Sequence, residues 1–288
     1  MKRKTIKYQN SKNQDFSDVS VSPGKLQANY PFVHKNIFYR AFSTGLYHFA
    51  VTVLFGFEKL IHHTKIENRQ VIYKLKDTGY FIYSNHTTIS DGYMHQAMTN
   101  RHKKRAYVVS LQDTFCCNKV FRTLLDMLGG IPIPSDLKNG RNFLKCIKYR
   151  LDQKACIVIY PEATIWPYYT GQRPTKKGAF KYPRTFNVPV VFACTTFRKP
   201  KGLFKNLKKP RIVVYLSEPI YPSRNGTEKI DENRLKELSQ EFIEDRSSIK
   251  ENYAYYDYVA EDLDKEYLNN TTINDLIDNY NDNDNMDK

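Results

Sequence analysis

The sequence predicts an α/β protein: a mixed, mostly parallel sheet covered by helices on both faces, preceded by an N-terminal apolar helical segment. Two observations carry this. Short β-prone apolar runs alternate with stretches whose apolar residues recur at helical spacing, the pattern of strands and crossover helices. Two of those runs, Tyr80 to Tyr83 and Cys156 to Tyr160, break abruptly into polar residues, Ser84-Asn85-His86 and Pro161-Glu162-Ala163-Thr164. A buried strand ending on titratable side chains is how an open α/β sheet builds a site at its strand tips, and parallel strands put both tips on one edge.

In chain order, residues 1–29 are polar and without periodicity, which predicts a disordered basic arm. Residues 30–66 form an apolar helical segment. Within it, 41–57 are seventeen residues without Lys, Arg, Asp or Glu, among them Phe42, Leu46, Phe49, Val53, Leu54 and Phe57. Seventeen is the lower limit for a spanning helix. With His48, Ser43, Thr44, Thr52 and two glycines inside it, a helix in the membrane interface or packed on the domain is the expectation favoured over a span. Residues 67–250 carry the α/β pattern. Val71 to Lys74 and Tyr80 to Tyr83 read as two strands around an Asp77-Thr78-Gly79 turn. A helix is expected over 91–101, a strand over Ala106 to Ser110, and an amphipathic helix over Asn118 to Leu128, closed by Gly129-Gly130. An extended Ile131 to Pro134, a helix over Asn139 to Asp152 and strands over Cys156 to Tyr160, Val188 to Thr195 and Arg211 to Leu216 follow. Residues 231–250 read as a terminal amphipathic helix. Residues 251–288 form an acidic tail, low-complexity at its end and expected to be largely disordered.

The formal charge of +15 is unevenly spread. Residues 251–288 hold eleven acids and two bases, so residues 1–250 carry +24, from 43 bases and 19 acids. A basic body seeks an anionic partner, whether nucleic acid, anionic lipid or a phosphorylated small molecule, and charge does not choose among them. Mean hydropathy of −0.62 with 41% hydrophobic residues indicates a core under a polar surface. The five cysteines show no C-x-x-C spacing, which fits a reduced compartment, and no His/Cys/carboxylate cluster has metal-ligand spacing. No secretory signal is visible in residues 5–30. Nucleic-acid binding lacks an RRM, KH or helix-turn-helix signature, and the 22 tyrosines are scattered, so no nucleic-acid partner is expected.

His86 and Asp91 lie five residues apart. On one continuous helix they would point about 140° apart, so they meet only if His86 sits in a loop and Asp91 near the start of the next helix. There the carboxylate can hold one ring nitrogen while the other takes a proton. Such a pair also arises by chance and does not assign chemistry alone. Downstream of Glu162, three cations, Arg173, Lys176 and Lys177, precede Gly178. Bases beside a glycine suit a phosphate group, and a solvated basic loop is the plain alternative.

Taken in order, these stretches resemble the glycerolipid (lysophosphatidic-acid-type) acyltransferases. Asn85-His86 through Asp91 matches the family's N-H-x4-D block. Gly129 to Ser135 matches in part its G-x-x-F/P-I-x-R block, and Tyr160 to Ile165 matches in part F-P-E-G-T-R. Lys176 to Phe180 gives K-K-G-A-F, and Val188 to Val191 gives V-P-V-V. The resemblance covers roughly residues 70–220, and four ordered blocks are far more specific than one.

The resemblance implies transfer of a fatty acyl group from an acyl thioester to a lysophospholipid or related glycerolipid hydroxyl. Catalysis would rest on His86 as general base and Asp91 as its orienting partner. Asn85, Glu162, Thr164, Arg173, Lys176, Lys177 and Gly178 are the implied substrate-binding residues. No bound cofactor is implied; acyl-CoA or acyl-carrier protein would be the co-substrate, membrane lipid the other partner, and the cytoplasmic face of a membrane the location. The chain departs from the family at Ser135 and Ile165, where it usually has arginines associated with the acceptor phosphate. Arg141, Arg173 and Lys176 are the candidate substitutes. The segment Ile165 to Tyr169, with the single Trp, is an altered acceptor pocket, a lipid-contacting lip or a packing element. Acyl transfer to a non-glycerol-phosphate acceptor, a different lipid or a sugar hydroxyl, and thioester hydrolysis with the same pair are the alternatives.

Overall fold

The computed structural model describes residues 3–17, 23–100, 104–201 and 209–261. Its centre is a seven-stranded sheet made of β2 (Lys65–Glu67), β3 (Tyr80–Ser84), β4 (Ala106–Leu111), β5 (Gly130–Ile133), β6 (Cys156–Ile159), β7 (Val190–Arg198) and β8 (Arg211–Leu216). The strand order is β2-β8-β7-β3-β6-β4-β5, parallel throughout except for the antiparallel β7–β8 pair. This is the mixed, mostly parallel sheet expected.

Alternation along the central strands divides the core in two. Tyr80 and Ile82 of β3, with Cys156 and Val158 of β6, face α2 (Val71–Lys74) and α3 (Asp91–Asn100) through Val71, Ile72, Met94 and Met98. Phe81, Tyr83, Ile157 and Ile159 face the other way. They meet Phe143, Ile147 and Leu151 of α5 (Leu137–Asp152) and Leu235 of α7 (Glu228–Ser247). All five residues of β3 are buried, as a central strand covered on both sides requires. Asp136 and Thr227 cap α5 and α7 by accepting from the amides of Asn139 and Ile230.

The N-terminal apolar segment is one helix, α1 (Ile37–His62), capped by Asn36. Among the described residues no helix is long and apolar enough to cross a membrane. α1 buries Ser43, Tyr47, Val51, Glu58 and His62 and leaves Phe38, Phe42, Phe49, Phe57 and Leu60 exposed.

Three local expectations are corrected. Val71–Lys74 is the single helical turn α2, not a strand; its Val71 and Ile72 fill the core beside Met94 and Met98, a burial that four residues satisfy equally well as a helical turn. The arm is not disordered at Lys4–Tyr8. These residues form β1, which pairs in parallel with β9 (Tyr256–Ala260) from the acidic tail. Residues 262–288, expected to be disordered, lie outside the described residues. Finally, α4 (Lys119–Met127) is the expected amphipathic helix, but none of its residues is buried; Val120, Phe121 and Leu124 are exposed.

Candidate active site

The tips of β3 and β6 are neighbours, with Tyr83 opposite Ile159. β3 runs into the loop carrying His86, and α3 begins at Asp91, so the two side chains meet: His86 Nδ1 lies 3.0 Å from Asp91 Oδ2. Asp91 is fully buried and its side chain turns back over the loop. Oδ2 also accepts from the amides of Thr87 and Thr88 at 2.8 and 2.9 Å, and Oδ1 accepts from Thr88 Oγ1 at 2.7 Å. Burial pushes the carboxyl's pKa up, but the hydrogen bond and charge of His86 outweigh it, and the net pKa lies below the usual value. Asp91 is therefore ionised, and His86 Nδ1 carries the proton that faces it. The His86 side chain keeps 17% exposure, and its ring stacks on Tyr160 with centroids 4.1 Å apart. Tyr160 OH lies 3.0 Å from His95 Nδ1, which lies 2.9 Å from the Asp91 carbonyl oxygen. Burial lowers the His95 pKa, so this second imidazole is neutral.

Asn85 ties the loop to β7. Its side chain donates to the Thr195 carbonyl at 3.0 Å and accepts from the Thr195 amide at 2.8 Å. With only 2% exposure and both ends of its amide engaged, it is an anchor of the strand tip. Glu162 is also buried, and Oε2 accepts from the His86 amide at 3.2 Å and from Arg173 Nη1 at 3.3 Å. Burial raises its carboxyl to about 7, against the lowering influence of Arg173. Arg173 itself is 2% exposed. It donates to the Thr164 carbonyl at 2.7 Å, bonds Thr164 Oγ1, and lies 4.5 Å from the Trp166 ring centroid. Its donors are directed at the protein, so Arg173, Glu162 and Thr164 form one buried brace under the histidine loop.

The other predicted binding residues are dispersed. Lys176 Nζ reaches Asn13 Oδ1 at 2.6 Å and the Lys12 carbonyl at 3.2 Å. Lys177 is exposed, and Gly178 has a positive φ of 74° in the turn that follows. Ser135 follows β5, exposed, its amide on Gln112 Oε1 at 2.9 Å. Arg141 is exposed on α5.

The segment after Glu162 has a packing role. The Trp166 amide donates to the His86 carbonyl at 3.2 Å and the Tyr168 amide to that of Thr87 at 2.8 Å. Trp166 is 1% exposed, enclosed by Tyr8, Phe16, Tyr169 and Tyr258. Its indole N–H donates to the Gln14 carbonyl at 2.8 Å, and the Ile165 amide donates to Asp15 Oδ1 at 3.0 Å. The N-terminal arm and the start of the tail thus strap the loop that holds His86.

His86 opens on a cleft of about 290 Å³, walled by the ends of β4, β5 and β6, by Ile165 and by Asp15 and Ser17 of the arm. The lining is largely apolar, with Ser17, Ser110, Thr114 and Tyr160 as hydroxyls. Among the described lining residues there is no lysine or arginine, and Asp15 is the carboxylate. Sequence reasoning missed Tyr160 as the ring beneath His86 and Thr88 as a second donor to Asp91. Nothing in the spacing of Thr88 marks which carboxylate its hydroxyl serves.

The arrangement is an imidazole held by a buried carboxylate at the mouth of a largely apolar cleft. An acyltransferase family model matches residues 61–195, a span that contains the His86–Asp91 pair and the Glu162 brace. No curated protein matches the sequence. Among solved structures, the chain is similar to the 1-acyl-sn-glycerophosphate (LPA) acyltransferase PlsC of Thermotoga maritima, with 14% identity, a TM-score of 0.47 and coverage of 73% of this chain and 94% of that one. The likeness to the acyltransferases thus extends over residues 61–195 of this chain.

Proposed function

We propose that the protein transfers a fatty acyl group from an acyl thioester to a hydroxyl of a lysophospholipid or related glycerolipid, working at the cytoplasmic face of a membrane. The observation that carries this reading is the 3.0 Å contact between His86 Nδ1 and a fully buried Asp91. Asp91 holds the proton on Nδ1 and leaves Nε2 to act as base. Nε2 takes the acceptor's hydroxyl proton as its oxygen attacks the thioester carbon. The C–S bond of the tetrahedral intermediate then breaks, and the imidazolium returns the proton to the leaving thiolate. The ester forms directly, with no acyl-enzyme. The donor is acyl-CoA or acyl-carrier protein, and the basic body suits the phosphates of either. Glu162, Thr164 and Arg173 serve the pair by fixing the loop from below. The exposed aromatic face of α1 supports attachment to the bilayer, where the lipid acceptor resides.

His86→Ala and Asp91→Asn each lower transfer from labelled acyl-CoA to lysolipid by about 10²–10⁴-fold, the range set by losing a general base or its orienting carboxylate, with the far-UV spectrum unchanged. Near-normal turnover in either variant rejects the assignment.

One observation favours a second reading of the acceptor. A phosphate next to the reacting hydroxyl would face a cleft whose described lining offers Asp15 and no cation. An acceptor with an uncharged group there fits the electrostatics better. A panel containing lysophosphatidate, uncharged monoacylglycerol and lysolipids with larger head groups separates the two. Thioester loss without consumption of any lysolipid identifies hydrolysis instead.

A further inference from the structure

A second carboxylate–imidazole pair lies behind the first. Glu58, near the C-terminal end of α1, is 4% exposed. Its Oε1 is 2.7 Å from His62 Nδ1 and accepts from Ser90 Oγ at 3.2 Å, while Oε2 accepts from Tyr93 OH at 2.9 Å. A buried carboxylate is costly unless its oxygens are engaged, and here three side chains engage them. Burial raises the Glu58 pKa, the His62 and hydroxyl contacts more than offset this, and the net is below the usual value. Glu58 is thus held ionised beneath a helix whose other face is aromatic.

The pair is continuous with the first one. Ser90 Oγ is 2.9 Å from Thr88 Oγ1, and Thr88 Oγ1 donates to Asp91 Oδ1 at 2.7 Å. The run is His62, Glu58, Ser90, Thr88, Asp91, His86, with every link between 2.7 and 3.2 Å. Two hydroxyl protons serve the three oxygen–oxygen contacts between the carboxylates, because each hydroxyl has one proton to give. Thr88 gives its proton to Asp91, the shortest of the three contacts. Ser90 gives its proton to the ionised Glu58, which leaves the Ser90–Thr88 contact without one. What Glu58 supplies is a fixed place for Ser90 at the first turn of α3, where the Met94 amide donates to the Ser90 carbonyl at 2.9 Å. With Ser90 fixed, the short segment from Thr88 to Asp91 has its side chains fixed from both ends.

We propose that Glu58 is a positioning residue for the His86–Asp91 pair, acting through Ser90, which immediately precedes Asp91 at the start of α3, with His62 and Tyr93 holding it in place. This rests on the reading of His86 and Asp91 as the acid–base pair. It makes α1 part of the site rather than an attachment alone. A neutral amide in place of Glu58 can still accept from Tyr93 and donate to Ser90, so the conservative variant retains the position and the truncated one does not.

The test is steady-state acyl transfer by the full-length protein with acyl-CoA and a lysolipid, comparing Glu58→Ala, Glu58→Gln, Ser90→Ala and the Glu58→Ala/Ser90→Ala double variant with the wild type and His86→Ala. The expected result is a roughly tenfold fall in kcat for Glu58→Ala with both KM values within twofold, and Glu58→Gln within threefold of wild type. The double variant falls no further than the worse single one, the mark of two residues acting through one path. Unchanged kcat in Glu58→Ala, or single effects that multiply in the double, overturns the proposal. If Glu58→Ala does not fold, Ser90→Ala decides, since it leaves Glu58 on His62 and Tyr93: wild-type kcat there overturns it, and a several-fold fall at constant KM supports it. Retained turnover in His86→Ala would instead sink the acid–base reading on which the proposal stands.

Discussion

Two buried carboxylates brace the histidine loop, and their environments push them in opposite directions. Asp91 accepts from two amides, a hydroxyl and an imidazole, and its pKa falls. Glu162 accepts from one amide and from Arg173 at 3.3 Å, and burial dominates, raising it from 4.5 to about 7. The linkage signs follow. Asp91 contributes stability that is present above its unfolded pKa and lost as pH falls through the depressed folded value. Glu162 does the reverse: the unfolded chain releases its proton near 4.5 while the folded chain keeps it to about 7, so stability declines as pH rises across that window. Glu162→Gln removes the titration. Between pH 5 and pH 8 the wild type therefore loses at least about 1 kcal/mol of unfolding free energy relative to the variant, since a tenfold difference in proton affinity between the folded and unfolded chains is worth about 1.36 kcal/mol. Urea titrations of both proteins at the two pH values measure this; parallel curves would mean that Glu162 is ionised throughout.

At the scale of elements, the strands that build the site were legible because their burial is written in them. Tyr80 to Tyr83, Cys156 to Ile159 and Arg211 to Leu216 are apolar runs with sharp ends, and a central parallel strand has no other way to look. The five-residue spacing required His86 in the loop and Asp91 at the helix start if the two were to meet, and the polar break after Tyr83 put the loop there. What was not legible depends on partners far away in sequence. Lys4–Tyr8 has no apolar periodicity, and it is a strand because Tyr256–Ala260 lies beside it. Likewise Glu58 and Ser90 are 32 residues apart; Glu58 sits in no motif, and Ser90 is only an unspecified position of the N-H-x4-D block. The strap has its own reporter, since Trp166 is the single tryptophan and its ring meets Tyr8, Phe16 and Tyr258. Phe16→Ala costs about 1–3 kcal/mol, the range for truncating a partly buried aromatic side chain. Deleting residues 1–17 shifts the Trp166 emission to longer wavelength and lowers turnover, because Asp15 and Ser17 wall the His86 cleft. Unchanged emission after the deletion would show that Trp166 is enclosed without the arm.

At the scale of the whole molecule, α1 gathers its most exposed phenylalanines on one side, although Leu54 and Ile61 on the other side are also exposed. At about 100° per residue, Phe38, Phe42, Phe49, Val53, Phe57 and Leu60 fall within about a 100° arc, and Ser43, Tyr47, Val51, Glu58 and His62 fall within another on the opposite side. The first group is exposed, Phe38 at 82% and Phe49 at 68%, and the second is buried. Val120, Phe121 and Leu124 of α4 add further exposed apolar side chains. At the rim of the His86 cleft, Ile89, Leu111 and Ile133 are also exposed. Exposed apolar side chains gathered in this way are a candidate interaction surface. The basic body, with Lys35, Arg40 and Lys59 in or next to α1, suits an anionic bilayer. Each phenylalanine entering lipid contributes about 1.5–3 kcal/mol. Phe42→Ser combined with Phe49→Ser therefore lowers partitioning onto anionic vesicles by about 100-fold or more in a flotation assay. Both side chains lie on the exposed face, so thermal stability stays within about 0.5 kcal/mol. Transfer from a short-chain, water-soluble thioester to a monomeric acceptor stays near wild type, while transfer to an acceptor embedded in vesicles falls with the binding. If vesicle binding survives the double substitution, the exposed face of α1 is not what holds the protein to the bilayer, and the α4 surface is the next to replace.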